Sequence, residues 1–396
     1  MRELNQRIVL TRLRSDGAAT RPQLAKDTGL SKPTVGQALL ELEQSRLVRA
    51  VGRTSNGLGR SAILYESNPA AGHVLGLDIG RARIRVAVAD LAGTVVARVD
   101  EPNRCTTARA LMKTVYQLAK KTVNEASLDL DDIVAKVVGS PGVPDRHGRI
   151  LHYAPNLPDW GRKGLLDELE ATLGTGLVVE NDANLSAVGE HARGAAKNAS
   201  SFVCVLVGTG IGMGIVINGR LYRGAHGAAG EVGYLPYGWP LYDVKARERP
   251  SRDKKALPSP RGLMEAVAAA DSVVKMAEGD GVRGAETAED VFRLARQGDA
   301  GARRTVAEEA ARLAFLVASV SAVLDPELVV LSGGIGKSAD LLAAPMEQAL
   351  RTITPLVPKV VPGELGEDAV LTGAISIALT SAVDIVFDRR NDATAE

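Results

Sequence analysis

The 396-residue sequence has two cysteines, Cys105 and Cys204, and its aromatic content is 3%. Two thiols build neither a disulfide framework nor a four-thiolate zinc site, and they suit a reducing cytoplasm. The scarcity of aromatics, with Arg in excess of Lys, reflects genome composition more than function. The opening MRELNQRIVLTRLRSDG has no apolar core of signal-peptide type, and no uncharged stretch reaches membrane-spanning length. Ala314 to Leu324, read as the most apolar late run, is too short to span. Secreted and integral-membrane classes are therefore excluded, and a cytoplasmic protein without membrane contact is the expectation. Charge of one sign is also lacking, with a formal net of +1.

Apolar residues at 45% and charged residues at 24% make an ordinary globular composition, and the length calls for two or three folding units. The charge is unevenly spread. Residues 1–67 carry eleven Lys or Arg against six Asp or Glu, a net of +5, and the remainder has a net of −4. A basic head on a slightly acidic body assigns any nucleic-acid contact to the head.

Local patterning in that head reads as a winged helix-turn-helix. Leu4, Ile8 and Leu13 share one helical face between Leu4 and Arg14, widened by Val9 and Leu10, before Ser15-Asp16-Gly17 stops the helix. A second helix runs from Arg21 to Thr28 with Thr20 as its cap and Pro22 in its first turn. Gly29 permits a tight turn, and Ser31 caps a third helix. Along it Val35, Ala38, Leu39 and Leu42 are expected inward, and Lys32, Thr34, Gln37 and Glu41 outward. The second helix of such a unit offers polar residues to base edges in the major groove. Leu47–Ala50 and Ser61–Tyr65 read as strands flanking a Gly-rich basic loop, Gly52–Arg60, which forms the wing. The candidate DNA contacts are Arg21, Gln23, Ser31, Lys32, Thr34, Gln37, Arg53 and Arg60. Charge alone also fits a solvated basic face or a head used for protein contacts.

Beyond the linker Asn68–Gly72, strands at His73–Asp78, Ile84–Ala89, Val95–Asp100, Val134–Gly139 and Leu177–Glu180 alternate with helices at Ala108–Ala126, Gly164–Leu173 and Asn184–Arg193. The pattern restarts with strands at Phe202–Val207 and Met213–Ile217, followed by helices, a strand at Leu328–Leu331, and more helices. Two successive α/β halves, each opening on antiparallel strands, are the expectation. Within the second half, Val207-Gly208-Thr209-Gly210-Ile211-Gly212-Met213-Gly214, Asn218-Gly219-Arg220 and Gly224 through Gly230-Glu231-Val232-Gly233 resemble the signature of the ROK family of repressors, open reading frames and sugar kinases. The resemblance extends over essentially the whole chain. It implies a two-lobed, actin-like fold of duplicated ribonuclease-H type with a sugar cleft between the lobes, and a homodimer or homotetramer. The divisions expected are 1–67 for the DNA-binding head, 72–195 for the first, sugar-binding lobe, and 196–388 for the second lobe with oligomerisation, the last helix packing back on the first lobe.

Sugar recognition needs hydrogen-bonding groups that converge, because a buried unpaired hydroxyl is costly. Gly139-Ser140-Pro141-Gly142, Asn156-Leu157-Pro158-Asp159-Trp160, Glu180-Asn181-Asp182-Ala183-Asn184 and Gly230-Glu231-Val232-Gly233-Tyr234 supply such groups. By resemblance the sugar contacts are Gly142, Asn156, Asn181, Asp182, Glu231, Tyr234 and Glu265, and Asp182 holds the general-base position of the kinases. Plainer roles are open to each: Asp182 or Asn184 as a helix cap, Asn156 closing a turn, Glu231 on the surface.

Departures from the family pattern matter as much. Tyr234 stands where zinc-bearing members have histidine; it could bond or stack on sugar, or fill the space left by the metal. No cysteine lies between Trp239 and Arg261, and Leu263 replaces another, so neither the structural zinc nor any other cofactor is expected. The kinases' first phosphate turn is Asp-x-Gly-Gly-Thr; here Asp78-Ile79-Gly80-Arg81-Ala82 places a guanidinium where backbone should approach phosphate. The second turn, Gly208–Gly214, is intact, and Leu331-Ser332-Gly333-Gly334-Ile335-Gly336 resembles the nucleotide-side loop. A sugar-responsive transcriptional repressor, not an enzyme, is expected, with operator DNA and a sugar or sugar phosphate as partners. Its alternatives are an active ATP-dependent sugar kinase with an appended head and a regulator that senses a protein partner.

Overall fold

A computed structural model describes residues 1–54, 61–145, 149–154, 157–238 and 261–392. The head contains α1 (Arg2–Asp16), α2 (Arg21–Thr28) and α3 (Lys32–Gln44), with β1 (Ala19–Thr20), β2 (Val48–Thr54) and β3 (Ala62–Ser67) in a sheet of order β1-β3-β2. Thr20 and Gln23 form a capping box that starts α2, and Ser31 accepts from Thr34 N–H to start α3. The buried face of α1 is Gln6, Val9, Leu10 and Leu13. It is rotated from the sequence expectation: Leu4 is 53% exposed, and Ile8 is only half-buried. The polar Gln6 goes inward because Glu41, expected outward on α3, is itself buried against α1 and accepts a hydrogen bond from Gln6 Nε2.

The body follows as β4 (His73–Ile79), β5 (Arg83–Asp90), β6 (Val95–Pro102), α4 (Ala108–Glu125), β7 (Ile133–Ser140), β8 (Val143–Asp145), β9 (Ile150–His152), α5 (Leu165–Leu173), β10 (Leu177–Asn181) and α6 (Asp182–Arg193). Then come β11 (Phe202–Val207), β12 (Ile211–Ile217), β13 (Arg220–Leu221), α7 (Leu263–Ala268), α8 (Ala270–Gly279), α9 (Ala288–Gln297), α10 (Ala300–Leu324), β14 (Leu328–Ser332), α11 (Gly333–Gly336), α12 (Ala339–Ile353), β15 (Lys359–Pro362) and α13 (Ala369–Asp392). The two body sheets have orders β10-β7-β4-β5-β6 and β13-β12-β11-β14-β15. Each places its fifth, fourth, first, second and third strands side by side, the first three antiparallel and the last two parallel to the first. This repeated topology is the duplicated, actin-like mixed α/β fold. The apolar stretches Val74–Leu77 of β4, Val86–Ala89 of β5 and Val137–Gly139 of β7 follow from burial on both faces.

The final helix, α13, crosses back to the first sheet, packing Val370, Leu371, Ala374, Ile375 and Ala378 against Val74, Ala87, Val137 and Leu185. Its approach to α6 is close: a Cβ on Gly373 would lie 1.9 Å from the Leu185 carbonyl, and one on Gly189 would lie 2.2 Å from that of Ala369. Only glycine fits either position. The stretch Gly366–Arg389, not Ala314–Leu324, is the apolar one: it is long and apolar enough to cross a membrane, and half of it is buried inside the protein. The apolar character of α13 follows from its sandwiching between the first sheet, α6 and the head.

Candidate functional site

A cleft of about 310 Å³ opens between the two lobes. Its corner on the first lobe is the junction of β10 and α6. Glu180, 3% exposed, accepts from Asn181 N–H at 3.0 Å, Asn184 Nδ2 at 2.9 Å and Arg223 Nε at 2.7 Å. The cap of α6 is Asn181, rather than Asp182 or Asn184: its Oδ1 accepts from Ala183 and Asn184 N–H, and its Nδ2 donates to the Gly142 carbonyl at 3.1 Å. Gly142 has φ +96°, and a Cβ there would press on the His152 carbonyl at 2.7 Å, so glycine is required for the approach itself. With Asn181 committed to the cap, Asp182 presents its carboxyl to the cleft.

Asp182, Glu231 and Glu265 crowd this end. Burial, with a smaller contribution from Glu265, pushes the Asp182 carboxyl up to about 6. Burial, then the charges of Asp182 and Glu265, pushes Glu231 up to about 7. Glu265 is held in place: it accepts from Ile211 N–H at 3.1 Å and from Arg261 Nε at 2.9 Å. Arg261 also reaches Asp271 at 2.6 Å and the Thr209 carbonyl at 3.0 Å, tying the glycine-rich turn after β11 to α7 and α8. Among the described residues no group of His, Cys, Asp and Glu is placed to hold a metal ion.

Tyr234 neither lines the cleft nor packs inward. It is 43% exposed and stands edge-on to Tyr153, with ring centroids 5.5 Å apart, at the rim. Tyr153, absent from the sequence reading, does line the cleft. Asn156 lies outside the described residues.

At the other end, Asp78, Gly80, Arg81 and Ala82 face the turns Gly208–Gly212 and Gly333-Gly334. Burial pushes Asp78 up to about 7, against the pull of Arg85 at 3.1 Å. Arg85 also pairs with Asp100 at 3.4 Å and with Glu367, which in turn accepts from Lys337 Nζ at 2.6 Å. Glu367 precedes α13 and Lys337 follows the Gly333–Gly336 turn, so these pairs cross the cleft. Arg81 is exposed and, among the described residues, forms no ion pair.

In the head, several candidate DNA contacts have local tasks. Gln23 Oε1 accepts from both Thr20 N–H and Thr20 Oγ1, and the Ser31 and Thr34 hydroxyls lie 2.7 Å apart within the α3 cap. Arg21 Nε donates to the Lys32 carbonyl at 2.8 Å, and its guanidinium lies over Gly36. The side chains of Lys32, Gln37 and Arg53 are exposed; Arg60 lies outside the described residues.

The head is fastened to the end of α13. Arg7 pairs with Asp384 at 2.5 Å and Asp388 at 2.6 Å and lies 4.4 Å over the Phe387 ring. Val386 and Phe387 are buried with Val9, Leu10 and Leu13 in the core of the head. Arg7, Arg261 and Arg223 escaped the sequence reading; of their contacts at the cleft and the head, the pairing of Arg261 with Glu265, four residues on, left a local signal.

Comparison with known proteins gives the same frame. The sequence pattern of the ROK family matches residues 74–381. The chain is 24% identical over 390 residues to the xylose repressor of Bacillus subtilis, covering 98% of this chain and 97% of that protein. It is 30% identical over 326 residues to a glucokinase of Thermotoga maritima, covering 77% of this chain and 96% of the kinase. Among solved structures, a ROK family transcriptional regulator described as a homolog of the E. coli MLC protein superposes with a TM-score of 0.76 at 20% identity, over 98% of both chains.

Proposed function

This chain belongs to the ROK family, and from that premise we propose that it is a sugar-responsive, DNA-binding repressor. The head is a winged helix-turn-helix in this reading, with α3 entering the major groove, Lys32 and Arg53 on phosphates, and Gln37 among the base-edge contacts. The cleft takes a sugar, whose hydroxyls bond to Asp182, Glu231 and Glu265, with Asn181 and Gly142 shaping the wall. The full-length similarity to a xylose repressor supports this reading, since the match includes the head.

The observation that carries the proposal is the placement of α13. One end of this 24-residue helix, with Glu367 just before it and Val370 within it, is at the cleft, and the other end completes the head. At 1.5 Å per residue it spans about 36 Å as one rigid element. A sugar that draws the lobes together shifts the lever that the head rests on. Coupling requires that sugar bind one arrangement better than the other, because contact alone shifts no equilibrium.

A kinase is the second reading, favoured by the buried Asp182, the intact Gly208–Gly214 turn and the similarity to glucokinases. Arg81, Ala82 and the Arg85–Glu367–Lys337 pairs oppose it, since they occupy the phosphate side. Fluorescence anisotropy on DNA from upstream of its own gene, with neutral and phosphorylated sugars and with or without ATP, separates the two. Specific binding released by one sugar without ATP is the expected result. Binding that no sugar alters removes sugar induction and favours a protein partner; ATP consumption without DNA binding makes the chain a kinase.

A further inference from the structure

Glu41 lies in the third turn of α3, 8% exposed against α1. Three donors converge on it. Gln6 Nε2 donates to Oε2, while Gln37 Nε2 at 2.5 Å and an Arg2 guanidinium nitrogen at 2.8 Å reach Oε1. Burial alone would raise this carboxyl, but the hydrogen bonds from Arg2, Gln37 and Gln6 hold it below its ordinary value. Glu41 therefore stays ionised at neutral pH and can only accept.

This fixes the amide of Gln37. A carboxylate accepts from the NH2 group and repels the carbonyl, so the hydrogen-bond network decides which way the amide is turned. Nε2 faces Glu41, leaving Oε1 and one N–H for an outside partner. Gln37 is exposed on the second turn of α3, three residues beyond Thr34 and five beyond Lys32, on the face that leads into the major groove in the DNA-binding reading.

We infer that Gln37 is a specificity-determining residue that selects adenine in each half-site, and that Glu41 is the positioning residue that orients its amide. The inference rests on the DNA-binding reading above. Adenine alone presents an acceptor, N7, beside a donor, N6–H₂, in the major groove, and these match one N–H and one carbonyl oxygen together. Guanine offers two acceptors, cytosine one donor, and thymine one acceptor beside a methyl group. Each of these leaves the oriented amide half-satisfied. A glutamine without Glu41 behind it could turn over and accept several bases.

The test uses the full chain and a pool of DNA duplexes with a randomised core, with sequencing of the bound fraction. The wild type should prefer adenine at one position of each half-site by about tenfold or more over the other bases. Gln37→Ala should erase that preference while leaving the other positions unchanged. The near-isosteric Glu41→Gln offers either a donor or an acceptor, so it should weaken the same preference and admit guanine there. If the Glu41 variant fails to fold, Gln37→Asn serves instead: one methylene shorter, it cannot span Glu41 and a base, so it too should lose the adenine preference. An unchanged base profile in Gln37→Ala, or a uniform loss of affinity at all bases in Glu41→Gln, would overturn the inference and leave the network as packing between α1 and α3. A wild-type protein that selects no sequence overturns the DNA-binding reading itself, and that outcome is visible before any variant is made.

Discussion

At the β10–α6 corner of the cleft, Asp182 and Glu231 stand close together and, among the described residues, neither has an ion-pair partner; burial raises both. Further along the same cleft, Asp78, Asp100 and Glu367 share Arg85, and Glu367 also holds Lys337. Both ends are lined by glycine turns from the second lobe, yet at one Asp182 and Glu231 have no ion-pair partner among the described residues, and at the other the carboxyls share Arg85 and Lys337. Acidic groups kept from water without a counter-ion carry a cost that hydrogen bonds from a hydroxyl-rich ligand relieve. An ion-pair network that already spans the cleft must be broken to admit a ligand. In the proposed reading, the first end is the sugar site and the second is a phosphate side taken over by ion pairs.

The strongest way to break this contrast is Asp182→Asn. It keeps the shape of the corner, removes the charge, and should weaken sugar binding by roughly 100-fold, the scale of a lost hydrogen bond to a charged group. Calorimetric titration with the releasing sugar measures it, and undiminished affinity would remove Asp182 from the site. Next in size is the pH response. With Asp182 near 6 and Glu231 near 7 in the folded state, the native protein retains protons that the unfolded chain has already released. The stability tied to these groups is complete below the ordinary carboxylate range and is lost as pH rises through 6 and 7. Thermal melts between pH 5 and pH 8 should therefore fall without sugar, and Asp182→Asn should flatten part of that slope.

At the other end, Arg81→Gly combined with Ala82→Thr restores the kinase turn. Weak ATP binding, with a Kd of order millimolar (about −4 kcal/mol), should appear where the wild type shows none, readable by equilibrium titration. If the wild type binds as tightly, Arg81 is no barrier. The smallest effect belongs to Glu367→Gln. Arg85 keeps Asp78 and Asp100, and Glu367 and Lys337 are themselves nearly half in solvent, so melting should report a loss of about 1 kcal/mol or less.

Much of this was legible before folding. Hydrophobic alternation and helical spacing located α4, α5, α6 and all the described body strands except β8, β9, β13 and β15, while the helices after β12 were expected without bounds; the glycine turns and the Glu180–Asn184 run marked both walls of the cleft. What sequence concealed was long-range pairing. Polarity at Glu41 read as surface, because nothing local says that Gln6, 35 residues away, meets it in a buried contact. Asn181 was named as a sugar contact when its cap to α6 and its bond to Gly142 consume most of its capacity. Ala314–Leu324 read as the most apolar late run although the uncharged run Ala369–Val383 is longer, and the pairing of Asp384 with Arg7 joins residues far apart in the chain.

Order of synthesis gives α13 a further consequence. Arg7 and Asp384 are 377 residues apart, a separation that takes roughly 20 to 75 s to translate at 5–20 residues per second. Throughout that interval the head exists with the pocket for Val386 and Phe387 unfilled and its lever unmade. The head is thus made well before the helix that completes it, and a chain that stops short of α13 cannot anchor its head to its body.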